Sequence, residues 1–485
     1  MTNFINALND FIWGPPLIIL MLSTGVYFTV RSGFFQIRYF KYIMQQTLGK
    51  VFKKQEDSDE KGVLNLIEAI STAIGGSVGF GNIAGVATAI AMGGPGATLW
   101  MWITAFLGML LKQVEVTLAV YYRRTDENGD PYGGPTYYME RGLGEERNFK
   151  FWKVLAAIFG CGIFSTFFIT ASNYTVSEVV ASTFKINQLV ASLFIVVCTY
   201  LMIWKGMKFV GKVFTKLVPL MSVSYLVFGL LIIILNYKNI PHTFSLIFNG
   251  AFSGSAAVGG FVGAAVSKVI STGMARSVYS NEAGWGTSPM VHASSKTRHP
   301  IEQGLWGSFE VFIDTFVVCT ITSLVVIITG EWSSGVESAT LTLNAFTMGL
   351  GNFGKYFLTV TMLIFGLTTS TGWYVYYEVV LRHLADKNTK LKNAILKVFK
   401  YCYPLPGFIM TAYILYVGEI SIWTFVDITS GIPTFINVAV VLALSKQYFV
   451  LLKDYKARYL GVGTVDESVD IFYEDKLVRE KREVA

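Results

Sequence analysis

Stretches of about twenty apolar residues recur along this chain from Phe11 nearly to Leu452, and each is long enough to cross the hydrocarbon core of a bilayer as a helix. Eleven such spans are expected, at approximately 11–30, 62–92, 96–122, 151–182, 187–204, 213–236, 245–272, 303–329, 356–381, 402–417 and 421–451. Composition points the same way. Only 15% of the 485 residues are charged and 53% are hydrophobic, with a mean hydropathy of +0.50, whereas an ordinary soluble domain carries about 25% charged residues. Too little polar surface remains to cover several water-soluble domains, which excludes a soluble enzyme. Cys161, Cys198, Cys319 and Cys402 each sit in an apolar stretch and read as small core residues, not a disulfide framework. The first run lacks a basic leader and a small-residue cleavage site and continues into an amphipathic stretch, Phe34 to Phe52, so it reads as an uncleaved span.

The net charge of +7 is explained by topology. With the amino terminus outside, the basic residues gather in six cytoplasmic segments, 31–61, 123–153, 205–216, 276–298, 382–400 and 446–482. Only Lys185, Lys238 and Lys355 fall outside, and Lys112 and Lys268 lie within spans. That distribution satisfies the positive-inside rule, and no nucleic-acid partner is implied. The expected organisation is an N-terminal span and amphipathic linker (1–61), two groups of five spans (62–240 and 241–453) and a solvated polar cytoplasmic tail (454–485).

Two glycine clusters interrupt this pattern. The run from Gly75 through Gly76, Ser77, Val78, Gly79, Phe80 and Gly81 to Asn82 puts four glycines and two polar side chains near the middle of span two. In span seven, Gly250, Gly254, Gly259, Gly260 and Gly263 surround Ser253 and Ser255. A spanning helix satisfies its own backbone, so such clusters belong where a helix opens onto a cavity or where helices pack very closely. A single glycine pair favours packing; the density here favours unwound segments, one opening each group of five spans, as in two inverted repeats. Freed N–H groups at a break attract a carboxylate, and freed carbonyls coordinate a small cation. Span nine supplies hydroxyls that could complete a sodium shell, Thr368-Thr369-Ser370-Thr371, followed by Trp373 one turn beyond Thr369. A lone membrane threonine more often bonds its own helix carbonyl; Thr368 and Thr369 are expected to escape that fate.

These residues resemble the alanine or glycine:cation symporter family. The resemblance rests on the block Gly79 to Ala87, on Gly93-Gly94-Pro95-Gly96-Ala97, on Gly133-Gly134-Pro135 with Tyr138 to Gly144, and on Ser280-Asn281-Glu282-Ala283-Gly284 followed by Phe312 to Thr315. It implies an all-α polytopic membrane protein: one extra N-terminal span before a five-plus-five inverted-repeat core of the leucine-transporter (LeuT) type, with two broken helices. It implies a sodium-coupled importer of a small neutral amino acid, alanine or glycine by default, in the cell membrane, with sodium as coupling ion, no cofactor and no required protein partner. By the same resemblance the carbonyls of Gly75 and Val78 would join Thr368 and Thr369 around sodium. The substrate carboxylate would rest near Ser77, Phe80 and Gly81, and its ammonium near Gly259, Gly260, Phe261 and Gly263. Phe167, Thr170 and Asn173 of span four and Trp373 would face the rest of the substrate, and Asn82 would support a second cation or the fold.

Two departures bear on the substrate. Phe80 stands where the family commonly carries a small residue, and ungapped counting from Gly144 puts Phe168-Ile169-Thr170 at the family's Gln-x-Asn, with Asn173 one turn later. Proton coupling, a glutamine-type substrate or a transporter-like sensor are the alternatives. Lys112 and Glu115, three apart on one helix face, read as a structural ion pair, and Glu178, Glu310 and Asp314 have no partner assignable from sequence. His292 and His299 sit in a polar loop without metal-ligand spacing and are expected to be solvated or structural, not zinc ligands. Gly79-x-Gly81-x-x-Ala84 matches a loose dinucleotide fingerprint, but no strand precedes it.

Overall fold

The computed structural model describes residues 2–51, 79–126, 129–205, 207–253, 266–385, 388–418 and 420–484. Its principal helices are α1 (Thr2–Ile12), α2 (Pro15–Arg31), α3 (Gly81–Gly93), α4 (Ala97–Tyr121), α5 (Trp152–Ile169), α6 (Ala171–Phe184), α7 (Gln188–Trp204), α8 (Met207–Leu235) and α9 (Ile240–Ser253). They continue with α10 (Val266–Asn281), α11 (Pro300–Ile328), α12 (Ser338–Leu384), α13 (Thr389–Cys402), α14 (Leu405–Tyr416), α15 (Ile422–Ala443), α16 (Ser445–Leu460) and α17 (Tyr473–Val484). Among the described residues six helical stretches are long and apolar enough to cross a membrane, or seven if the α8–α9 pair, bent by 78°, is one span. Eleven spans are therefore not all visible as full-length helices. Gly81–Gly93, α7 and α14 are apolar but shorter.

The helices pack around α4, which is flanked by α11 on one side and α10 on another, while α6 lies along α12 and α5 along α15. Close approach is bought with glycine. A Cβ on Gly96, at the start of α4, would fall 2.2 Å from the Gly250 backbone of α9. Gly250 therefore sits at a tight helix contact, and within the described residues its helix continues unbroken to Ser253. The rest of that predicted break, including Gly259, Gly260, Phe261 and Gly263, lies outside the described residues, as do Gly75, Gly76, Ser77 and Val78.

The visible interruption comes later, where α10 ends at Asn281 and the chain passes Glu282, Gly284 and Gly286 at positive φ (58°, 86° and 84°) before the short helix Pro289–His292. The span expected at 245–272 is thus shifted: α10 runs to Asn281, so Arg276, expected in a cytoplasmic loop, is buried inside the protein. His292 and His299 are likewise buried, at 1% and 0% exposure, and not solvated.

The tail is also not free. Tyr473 at the start of α17 is 3% exposed and its hydroxyl donates to Glu145 Oε2 at 3.1 Å. Lys476 meets Glu146 at 2.6 Å, and Glu474 lies 3.6 Å from Arg141. α17 therefore clips onto the loop joining α4 to α5, through one buried ring and several half-exposed ion pairs of which the ring carries most of the energy.

Two outcomes follow from these contacts. Gly96→Ala should lower the melting temperature in detergent, since a methyl group forced against backbone costs about 1–3 kcal/mol. Tyr473→Ala, which removes about 3 kcal/mol of ring burial, should make the chain beyond Leu460 cleavable by protease under conditions in which the wild-type tail survives, with the apolar core uncut.

Candidate functional site

A small cavity lies where α3, α5, α6, α10, α12 and α15 converge. Of the residues expected to hold substrate, Phe80, Thr170, Thr369 and Trp373 line it. Tyr279, Tyr377, Tyr403 and Val426 add apolar wall, and Thr166, Ser172, Ser370 and Thr429 add hydroxyls. Among the described residues no charged side chain lines it.

Span four reaches this cavity at a break. Thr170 separates α5 from α6 with φ 37° and ψ 57°, a left-handed conformation that is a genuine outlier for a β-branched residue. Its hydroxyl donates to Phe167 O at 2.6 Å. From this turn Thr170 and Ser172 line the cavity, whereas Phe168, the other position reached by ungapped counting, does not and is exposed on the outer surface. Ser172 pairs with Ser370 of α12 at 3.0 Å, and Thr166 with Tyr377 at 2.8 Å. Asn173 does not line the cavity: it accepts from Thr411 at 3.1 Å and from Ser192, and donates to Ser192 O, fastening α6 to α7 and α14. Phe167 stands behind the wall, stacked on Tyr403 with centroids 5.9 Å apart.

The two threonines of α12 part company. Thr368 donates to Phe365 O one turn back at 3.0 Å, the local bond it was expected to escape. Among the described residues, the buried Thr369 Oγ1 has no hydrogen-bond partner. It lies against Gly79, where an added Cβ would come within 2.0 Å of it. A hydroxyl oxygen left unpaired in a dry interior costs about 1–3 kcal/mol, and its placement at the end of the α3 glycine run fits an oxygen-seeking monovalent cation. The oxygen chemistry present thus suits sodium.

Asn82 is spoken for. Its Oδ1 accepts from Gly79 N at 2.7 Å and its Nδ2 donates to Asp314 Oδ1 at 2.6 Å. Both residues sit in π-helical turns, Gly81–Gly85 and Phe312–Cys319, the widened turns that tend to mark functional sites. Ser280 and Thr315 also donate to Asp314 Oδ2, at 2.9 and 2.8 Å. Asp314 therefore ties α3, α10 and α11 together, and Asn82 fixes the first turn of α3 through it. Gly81 needs its missing side chain less than Gly79 does, since a Cβ there would meet the Tyr279 ring at an ordinary 3.5 Å.

At the end of the cavity toward α1, Phe80, Tyr279 and Trp423 form a closed set of ring contacts, with centroids 6.0, 6.3 and 5.5 Å apart. Behind them Arg276 meets Asp427 at 2.5 Å with its guanidinium 4.7 Å over Trp423. Trp13 of the N-terminal span donates to Asp427 O at 2.9 Å. At the other end, Trp285 from the Asn281–Ser288 break packs edge-on against Trp373 at 4.9 Å. None of Tyr279, Trp285, Arg276 or Asp427 was singled out from sequence, although Trp285 directly follows the Ser280–Gly284 block.

Lys112 and Glu115 do not pair with each other. Lys112 meets Glu310 at 3.0 Å and Asn281 O at 2.6 Å, whereas Glu115 accepts from Gly284 N at 2.8 Å and from Asn437. Glu178 accepts from Thr340 at 3.0 Å.

The model for the sodium:alanine symporter family matches residues 1–464. An uncharacterized transporter of Haemophilus influenzae is 38% identical, over 94% of this chain and 96% of its own length. The sodium/alanine symporter AgcS of Methanococcus maripaludis is also 38% identical, over 79% of this chain and 83% of its own. Among solved structures, MhsT in complex with L-phenylalanine superposes with a TM-score of 0.59 at 13% identity, covering 86% of this chain and 94% of that one; this supports a LeuT-like fold and nothing about ligands. These likenesses are to transporters, not enzymes, and the apolar helices make this a multi-pass membrane protein. The chain belongs to the sodium:alanine symporter family.

Proposed function

We propose that this protein is a sodium-coupled symporter that imports a small neutral amino acid, alanine or glycine in the first instance, across the cell membrane by alternating access. The observation that carries the reading is the unpaired hydroxyl of Thr369, buried at the cavity beside Gly79. Sodium there would take Thr369 Oγ1 together with carbonyls of the glycine run around Gly75 and Val78, with the remaining lone pair of Thr368 available as a further oxygen ligand. The substrate would lie beside it between Phe80, Thr170, Ser172 and Trp373. An uncharged lining suits a zwitterion with a neutral side chain; a charged one would be buried without a partner.

Alternating access is supported by the two different closures of the cavity. Phe80, Tyr279 and Trp423, backed by the Arg276–Asp427 pair, would form the outer gate, and Trp285 on Trp373 the inner one. In this reading the amino terminus is outside, eleven spans cross the membrane, and the two groups of five, 62–240 and 241–453, are inverted repeats behind the N-terminal helix. The bend between α8 and α9 and the break after Asn281 suit helices that cover the membrane in pieces.

The test is uptake of labelled alanine, glycine and glutamine into proteoliposomes with and without an inward sodium gradient. Thr369→Ala should raise the sodium concentration for half-maximal uptake tenfold or more, and Thr369→Ser should restore it to near the wild-type value. Robust uptake indifferent to both sodium and the substitution would defeat the coupling assignment.

A further inference from the structure

Three glutamates converge on the segment where α10 breaks, each from a different part of the chain: Glu115 from α4, Glu310 from α11 and Glu282 from the break itself. All are essentially buried, at 0–1% exposure, and so are the cations beside them, Lys112 and His292. Among the described residues, even with His292 counted as a cation, three carboxylates face two cations in a medium where unbalanced charge is expensive. The cluster therefore holds at least one proton when the segment is packed as it is here.

The partners of each carboxylate say which one exchanges it. Glu310 has Lys112 at 3.0 Å, Ser288 at 2.9 Å and His292 at 3.3 Å. Glu115 is held by donors only, the backbone N–H of Gly284 and the Asn437 amide. Glu310 has an ammonium in contact and Glu115 has only N–H donors, groups that cannot accept a proton in return. Glu282 is different. Its Oε2 meets the Tyr376 hydroxyl at 3.0 Å, and among the described residues it has no cation of its own in contact, Lys112 being engaged by Glu310 and Asn281 O. A hydroxyl donates to a carboxylate or accepts from a carboxylic acid equally well. Glu282 also sits at φ 58° within the break, and Trp285, three residues on, closes against Trp373.

We propose that Glu282 is a proton-binding site, and that gaining or losing this proton sets the conformation of the Asn281–Ser288 break and with it the Trp285–Trp373 closure. The ligand is a hydrogen ion taken from water by the Oε of Glu282, with no other bond made or broken. The groups that set its affinity are Lys112 and Glu115 of α4, Glu310 of α11 with His292 against it, Tyr376 and Tyr377 of α12, and Tyr279 of α10. The consequence for a symporter rests on the function proposed above; the proton site itself does not.

The experiment therefore reads the break directly and needs no substrate. The full-length protein is labelled with 5-fluorotryptophan in lipid nanodiscs, the Trp285 resonance is assigned through Trp285→Phe, and its fluorine shift is followed from pH 5 to 9. The wild type should titrate with one midpoint, Glu282→Gln should lose the titration, and Tyr376→Phe should keep it with a displaced midpoint. A Trp285 resonance that does not move with pH, or that titrates alike in the wild type and Glu282→Gln, overturns the proposal. Should Glu282→Gln fail to fold, Tyr376→Phe decides: an unmoved midpoint overturns the assignment. Sodium-driven uptake, measured separately, tests the symporter reading on its own.

Discussion

A helix that stops inside a membrane protein releases backbone groups that water cannot reach, and this chain answers that requirement with side chains drawn from distant helices. At the end of α10 the Asn281 carbonyl is taken by Lys112, the Gly284 N–H by Glu115, and the Gly284 carbonyl by the Asn437 amide at 2.9 Å. The Ala283 N–H turns back to Asn281 Oδ1 at 2.9 Å. The first three of these bonds cross from one packed element to another, so the break is held in place by α4 and α15 and in turn fixes where they sit. The same logic recurs at α3, where Asn82 caps Gly79 N while Asp314 holds Asn82 from α11. Buried ionisable residues are costly; here they are the groups that make irregular backbone affordable at depth.

The cavity sits among these interruptions because a continuous helix presents only side chains, whereas a broken one presents shape. α5 turns at Thr170, α10 ends at Asn281 and α3 starts in a π turn, and these come together around one space. The walls between them are rings and hydroxyls bonded to one another or to their own helices, and among the described lining residues Thr369 is left with a buried hydroxyl that has no partner. What the site offers a ligand is therefore one unsatisfied polar group at one end and an apolar, uncharged chamber beyond it.

Much of this was legible in the sequence, for reasons that also explain the failures. Long apolar runs give away spanning helices, and the helix starts at Ala97, Trp152 and Ile422 lie close to the predicted ones. Thr369 and Trp373 stand out because clustered hydroxyls are unusual in an apolar stretch, whereas Phe80 and Thr170 come from the family resemblance; all four line the cavity. The break expected at Gly254–Gly263 lies outside the described residues; of that cluster Gly250 serves a helix contact, while a second break that the sequence did not announce carries two glycines and a glutamate at positive φ. Arg276 and Asp427 escaped notice because an ion pair 151 residues apart in sequence has no local signature. Thr368 and Thr369 are neighbours with the same chemistry, and only the three-dimensional setting decides which one bonds its own helix.

Thr170 deserves a last thought for what it does to the search for hardier variants. A β-branched residue at φ 37° is strained, and a glycine or asparagine there would sit more easily. Selection on heat resistance alone would drift toward such replacements, because they relieve strain at a single position. It would also alter the lining of the chamber, so under the function proposed above durability and recognition pull against each other at one side chain.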